Sequence, residues 1–101
     1  MKKEFQIISE LVKNNSRVLD VGCGDGILMK YLKDNKNVDS RGLEISKEKV
    51  QMCIAEGLSV IEGNAEDDLK QFPDLSFEYA ILGQTLQAFY KPEKVIDDLL
   101  R

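Results

Sequence analysis

The residues of this sequence most able to do chemistry are two carboxylates near a glycine-rich segment. Asp20 stands two residues before the segment Gly22-Cys23-Gly24-Asp25-Gly26, and Glu44 follows later in the chain. Glycines between a strand and a helix let backbone amides approach a ligand closely, because no side chain intervenes and positive φ is tolerated. The chain has no histidine, which removes the usual general base near neutral pH and the commonest metal ligand. Any chemistry must therefore come from carboxylates, hydroxyls, thiols or a cofactor, with no metal site and no assignable catalytic residue.

The spacing of the glycines argues against the common phosphate-binding motifs. A dinucleotide fingerprint has the pattern GxGxxG, but its third glycine position is Ile27 here, and the GKS or GKT of a P-loop is missing. Asp20 would repel a pyrophosphate at close range, whereas it would attract a ligand with an ammonium or sulfonium charge. The pattern favours S-adenosylmethionine. In the alternative interpretation, Asp20 only accepts hydrogen bonds from the amides of the turn.

Glu44 stands where the second predicted strand ends. In doubly wound sheets a carboxylate at this position can accept hydrogen bonds from both ribose hydroxyls of an adenosine, and Ile45 would offer an apolar face to the adenine. Taken alone, Glu44 is also compatible with a solvated charge that favours the start of a helix. Together with Asp20, the ribose interpretation is the stronger one.

Polar residues also follow the third and fourth predicted strands. Asn64 and Ala65 come directly after Gly63, where a side-chain oxygen and a backbone amide could read the adenine edge. An Asx turn that closes the strand explains Asn64 equally well. Gln84 and Gln87 follow the fourth strand, at the edge where open α/β sheets bind ligands, or they are ordinary capping and surface amides.

Short apolar strands alternate with amphipathic helices along the chain. The predicted elements are a leading helix over 3–13, strands over 17–21, 40–45, 58–61 and 77–82, helices beginning near Ile27, after Ser46 and after Pro92, and an acidic loop over 64–76. This alternation predicts an α/β fold with a parallel sheet of about four strands and right-handed crossovers.

Composition limits the class of protein further. The 101 residues suffice for one modest core, and 14 basic against 18 acidic side chains give a formal net charge of -4. No basic cluster is present that could neutralise nucleic-acid phosphates. From the sequence we expect neither a signal peptide nor a membrane span. Its two cysteines have no CxxC spacing, which favours reduced thiols and a cytoplasmic location.

Several segments carry a family resemblance. Residues 18–26, VLDVGCGDG, resemble motif I of the class I S-adenosylmethionine-dependent methyltransferases, and residues 41–46, 57–61 and 83–88 resemble the MetW family of bacterial methionine biosynthesis proteins. The resemblance implies a Rossmann-like sheet of strand order 3-2-1-4. It also implies cofactor contacts from Asp20, Gly22, Cys23, Gly24, Glu44, Ile45, Asn64, Ala65 and Gln84. Asn64 departs from the aspartate that is usual in the family, so it keeps one oxygen acceptor and loses the charge.

The resemblance implies a protein that binds S-adenosylmethionine or S-adenosylhomocysteine and acts with, or regulates, a homoserine O-acyltransferase. The alternatives are a methyltransferase acting on a small molecule and, more distantly, a fragment of a nicotinamide-dependent dehydrogenase. The family's sheet has seven strands, so residues 1–101 are expected to form a single truncated domain. Its fourth strand is then expected to have an unpaired edge through which the chain self-associates.

Overall fold

The computed structural model describes residues 3–68, 77–83 and 87–90. Its elements are α1 (Lys3–Leu11), β1 (Arg17–Val21), α2 (Ile27–Lys36), β2 (Asp39–Glu44), α3 (Lys47–Ala55), β3 (Val60–Glu62), α4 (Ala65–Asp68), β4 (Tyr79–Leu82) and β5 (Gln87–Tyr90). Within this part of the chain, no helix is both long and apolar enough to cross a lipid bilayer.

The sheet has the order β3-β2-β1-β4-β5. The first four of these strands are parallel, with Asp20 of β1 opposite Gly42 of β2 and Ile81 of β4. The predicted α/β class and the predicted order 3-2-1-4 are confirmed. Because the strands are parallel, the carboxyl ends of β1, β2, β3 and β4 lie at one edge of the sheet.

Alternate residues of β1 pack on the two opposite faces of the sheet. On one face Val18 packs with Ile8 of α1 and Leu28 of α2, while the next residue, Leu19, packs with Leu43 and other residues of a second cluster. Successive side chains of a strand point to opposite faces, so these clusters lie on either side of the sheet. β1 is therefore central, and the core holds its carboxyl end in a fixed position.

Local sequence explains where two of the helices end or begin. Ser46 lies before α3, and its Oγ accepts a hydrogen bond from the Lys49 amide at 3.4 Å, as the sequence predicts for an N-cap. Asn37 closes α2 in the left-handed conformation with φ 52°, and its amide donates to the Leu32 carbonyl. These caps fix the loops that lead into β2 and out of it.

Two expectations are wrong. The outer edge of β4 is not unpaired, because β5 pairs with it antiparallel, with Ile81 opposite Ala88. The reason given for self-association through that edge is thereby removed. The acidic loop also contains the short helix α4, which begins directly after Asn64. The helix predicted after Pro92 lies outside the described residues, and the seven-stranded sheet stays a prediction.

Candidate functional site

The glycine turn between β1 and α2 folds over the carboxyl end of β2. The Gly22 and Cys23 amides both donate to the Leu43 carbonyl, at 2.7 and 3.2 Å. Gly22 and Gly24 have φ of 75° and 61°, values that other L-residues adopt only with strain. The glycines therefore give the turn its shape and leave its backbone uncovered by side chains.

Glu44 connects this turn to the next crossover. One carboxylate oxygen accepts the Gly24 amide at 2.7 Å, and the other accepts the Ser46 amide at 2.8 Å. Hydrogen bonds to an ionised acceptor are stronger than neutral ones. Glu44 thus fixes the glycine turn and the start of α3 relative to each other.

Asp20 lies near the carboxyl end of β1, at the same edge of the sheet, and is 2% exposed. Among the described residues its Oδ1 has no hydrogen-bond partner. Burial, and secondarily the negative charge of Glu44, raise the pKa of Asp20 to about 7. A buried carboxylate with an unpartnered oxygen is costly, which is typical of a group whose partner is a ligand.

Gly83, directly after β4, completes the surroundings of Asp20. Its amide donates to the Val21 carbonyl at 2.7 Å. A Cβ atom at this position would overlap the Gly22 carbonyl oxygen and would lie 3.2 Å from Asp20 Oδ1. Gly83 was not among the residues predicted from the sequence, although a glycine that ends an apolar strand is a visible signal of close backbone approach.

The residues predicted to contact adenine differ in their surroundings. Ile45 is 67% exposed beside Glu44, which leaves its apolar surface available. Asn64 caps α4: its Oδ1 accepts the Asp67 amide at 2.8 Å and its Nδ2 donates to Asp67 Oδ2 at 3.1 Å. The side chain thus makes the Asx contacts that the alternative interpretation predicted. Ala65 follows at the same edge.

Gln84, Gln87 and Cys23 are the remaining predicted positions. Gln84 lies outside the described residues, and Gln87 begins β5 instead of following β4 in a loop. Cys23 lies in the glycine turn and is half-buried. Asp20, Gly22, Gly24, Glu44 and Ile45 are gathered at the carboxyl edge.

The two cysteines lie in one cluster, a proximity that their separation in sequence did not indicate. Both are free thiols, and Cys53 of α3 packs with Met29 and Leu58 beside Cys23. Within the described ranges, no group of three or more histidine, cysteine, aspartate or glutamate side chains is arranged to hold a metal ion.

A cavity of about 410 Å³ lies elsewhere, at the amino ends of β2 and β3. Its lining includes Lys33, Ser40 and Arg41 and none of the residues predicted to bind a cofactor. The unpartnered oxygen of Asp20 and the bare backbone of the glycine turn lie at the opposite edge of the sheet. A buried carboxylate without a hydrogen-bond partner costs more than a buried neutral group, so the carboxyl edge is favoured over this cavity as the candidate site.

Comparisons with known proteins identify the family and the fold. The family model described as methionine biosynthesis protein MetW matches residues 2–101. A relative from Rhodopirellula baltica, named bifunctional methionine biosynthesis protein MetXA/MetW, is 30% identical over 102 residues, covering 93% of this chain and 16% of the relative. The chain thus spans about a sixth of that relative's length.

Two solved structures share the fold at low sequence identity. A TehB-like SAM-dependent methyltransferase from Corynebacterium glutamicum superimposes with a TM-score of 0.67 at 20% identity, over 78% of this chain and 42% of that one. The TrmK protein of M. capricolum, in complex with S-adenosylhomocysteine, gives a TM-score of 0.67 at 18% identity, over 81% and 40%. The fold is therefore the Rossmann-like fold of the class I methyltransferases.

Proposed function

Because this chain belongs to the MetW family, we propose that it binds S-adenosylmethionine or S-adenosylhomocysteine at the carboxyl edge of its sheet. We propose further that it acts with, or regulates, a homoserine O-acyltransferase in methionine biosynthesis, in the cytoplasm. The observation that carries the cofactor proposal is the buried Asp20 carboxylate, whose Oδ1 has no partner among the described residues. An ammonium or sulfonium group would supply the missing positive charge.

The donors and acceptors at this edge fit such a ligand. Asp20 attracts a cation, and the turn around Gly22 and Gly24 carries no side chain that would block a close approach. Glu44 already accepts two backbone amides, but a carboxylate has about four acceptor positions. Its remaining positions are therefore open to ribose hydroxyls.

The adenine contacts are the weaker part of the fit. Ile45 offers an exposed apolar side chain next to Glu44. Asn64 Oδ1 already accepts the Asp67 amide at the start of α4, so this oxygen would have to accept a second hydrogen bond from an adenine amine. We assign the adenine to the surface between Ile45 and Ala65, with Asn64 beside it, and Gln84 stays a contact predicted from the sequence.

When bound, S-adenosylmethionine supplies an electrophilic methyl group. In the part of the chain that the structure describes, the two carboxylates at this edge, Asp20 and Glu44, are assigned to the cationic group and the ribose of the ligand, so they bind and orient the ligand and neither is left to act as a general base. This favours a binding or regulatory role. A methyltransferase acting on a small molecule is the second candidate, and the shared fold with methyltransferases supports it, because orientation alone can supply much of the acceleration.

The partner proposal is supported by the Rhodopirellula baltica relative, whose name joins a MetXA part to a MetW part in one protein. Fusion holds two domains at a high effective concentration without any new contact. We interpret the MetXA part as the homoserine O-acyltransferase, and we expect separate chains of the two kinds to associate.

Calorimetric titration with S-adenosylhomocysteine tests the cofactor proposal. Asp20→Asn is expected to weaken binding, and Asp25→Asn is the matched control, because Asp25 is an exposed carboxylate of the same turn. Equal binding by both variants, or tighter binding of NAD, would contradict the assignment of Asp20.

The partner proposal is tested by mixing the chain with a homoserine O-acyltransferase. Co-sedimentation, and an acyl-transfer rate that changes when S-adenosylmethionine is added, are the expected results. Methylation of a small molecule without any association would favour the second candidate function instead.

A further inference from the structure

The thiols of Cys23 and Cys53 meet beneath the glycine turn. Both lie against the same backbone carbonyl, that of Gly24: Cys23 Sγ is 3.9 Å from this oxygen and Cys53 Sγ is 3.3 Å from it. Both residues also belong to one apolar cluster, in which Cys23 packs beside Cys53, Met29 and Leu58. A residue of the turn and a residue of α3 thus bring two sulfurs together.

We propose that Cys23 and Cys53 form a reversible disulfide site that ties the glycine turn to α3. The oxidant is a low-molecular-weight disulfide of the glutathione class. Since Cys23 is half-buried and Cys53 is 0% exposed, Cys23 reacts first.

The exchange balances in two steps. The Cys23 thiolate, having lost its proton to solvent, attacks one sulfur of the small disulfide, forms a mixed disulfide and releases one thiolate. The Cys53 sulfur then attacks the Cys23 sulfur and releases the second thiolate, which takes up the proton that Cys53 loses. Two protein thiols are oxidised, and one small disulfide is reduced to two thiols. Burial, and secondarily the charge of Asp20, raise the pKa of Cys23, so this exchange is slow at neutral pH.

We expect bond formation to move the turn and not α3, because Cys53 is the more tightly packed of the two residues. Two sulfurs that lie against the same carbonyl oxygen must approach to the length of a covalent bond. Cys53 is fully buried and packs against Met29 and Leu58, so its surroundings hold it in place. Cys23 is flanked by Gly22 and Gly24, both at positive φ, and glycine backbone adjusts easily.

Movement of Cys23 toward α3 disturbs the next residue. The Gly24 amide donates to Glu44 at 2.7 Å, and a displaced turn strains this bond. This consequence rests on the proposed function, since it concerns the edge at which we place S-adenosylhomocysteine. Oxidation then weakens binding, and reduction restores it.

The test incubates the chain with mixtures of reduced and oxidised glutathione, followed by alkylation and intact-mass analysis. The expected product is a monomer lighter by two hydrogen atoms, with a peptide linking Cys23 to Cys53. Cys53→Ala is the matched variant that cannot close the bond and is expected to stop at a glutathione adduct. A wild-type chain that carries only such adducts, or that forms only intermolecular dimers, would overturn the site.

Calorimetry with S-adenosylhomocysteine tests the coupling separately. We expect about a tenfold weaker affinity for the oxidised chain, comparable to the loss of one charged hydrogen bond, and recovery after reduction. Equal affinities in the two states would overturn the coupling and leave the site standing. If the reduced chain does not bind the ligand, the proposed function fails, whereas the peptide map still decides whether the disulfide forms.

Discussion

At neutral pH Asp20 lies near the midpoint of its titration, because burial and the charge of Glu44 raise its pKa to about 7. Its ordinary value is 3.8, so the folded chain holds this proton more tightly than the unfolded chain does. The protonated Asp20 carboxyl therefore favours the folded state below pH 4, and this contribution to stability is lost as the pH rises to about 7. A bound cation would offset the cost of the charge.

Asp20→Asn is therefore expected to raise the free energy of unfolding at pH 8, by an amount on the order of a few kcal/mol at most. The variant removes a buried charge and keeps the size of the side chain. Urea unfolding at pH 5 and pH 8 measures the effect, and Asp25→Asn serves as the exposed control. An identical pH dependence for wild type and Asp20→Asn would contradict the raised pKa.

Glu44→Ala is expected to lower the stability by about 1.5–3 kcal/mol, because a charged acceptor of two backbone amides is lost. It is also expected to reduce affinity for S-adenosylhomocysteine by about tenfold or more. Glu62→Ala is the matched control, since Glu62 lies opposite Glu44 on β3 and is exposed. Carboxyl titrations followed by NMR would also show a lower pKa for Asp20 in Glu44→Ala; an unchanged pKa and affinity would refute the role of Glu44.

At the scale of the elements, Gly83→Ala tests how closely the end of β4 approaches the glycine turn. A Cβ there would overlap the Gly22 carbonyl, so we expect a loss of roughly 1–3 kcal/mol of stability together with weaker cofactor binding. Gly57→Ala is the control: Gly57 has φ 78° but lies away from the site, so its substitution is expected to lower stability alone. Wild-type affinity in folded Gly83→Ala would show that this contact does not shape the site.

The sequence predicts most of the elements, because strands with continuous apolar runs and caps such as Ser46 are local signals. The strand over 17–21 and the cap of α3 are confirmed. β5 was missed, since Gln87, Ala88, Phe89 and Tyr90 show no alternation and their pairing with β4 is set by tertiary contact. Likewise, no local pattern distinguishes an Asn64 that caps α4 from an Asn64 that reads adenine.

At the candidate site, the sequence predicted that the carboxylates and the glycines lie at one edge of the sheet, because parallel topology determines which strand ends lie together. It did not predict that Glu44 would accept the Gly24 and Ser46 amides, or that Cys23 would meet Cys53. Those contacts depend on how crossovers pack in three dimensions. Spacing in the chain carries no information about them.

At the scale of the whole molecule, ligand binding is expected to stabilise the fold. S-adenosylhomocysteine at 100 times its Kd adds about 2.7 kcal/mol, which for a chain of this size raises Tm by roughly 10–20 °C. NAD at the same concentration is expected to leave Tm unchanged, because Asp20 repels a pyrophosphate. Differential scanning fluorimetry measures both, and a larger shift with NAD would restore the dehydrogenase alternative.

The central position of β1 has a consequence for the order of folding. Val18 pairs with Ser40 soon after it in the chain, and with Tyr79 only much later. Contacts between distant residues form more slowly, so the β1-α2-β2-α3-β3 segment, with its Glu44 link, is expected to assemble before β4 docks. We expect Asp20 to lose its water in that last step, because Gly83, directly after β4, lies against its carboxylate. The carboxylate is therefore buried when β4 docks. Below pH 7 Asp20 is protonated and costs less to bury, so the docking of β4 during refolding is expected to become faster.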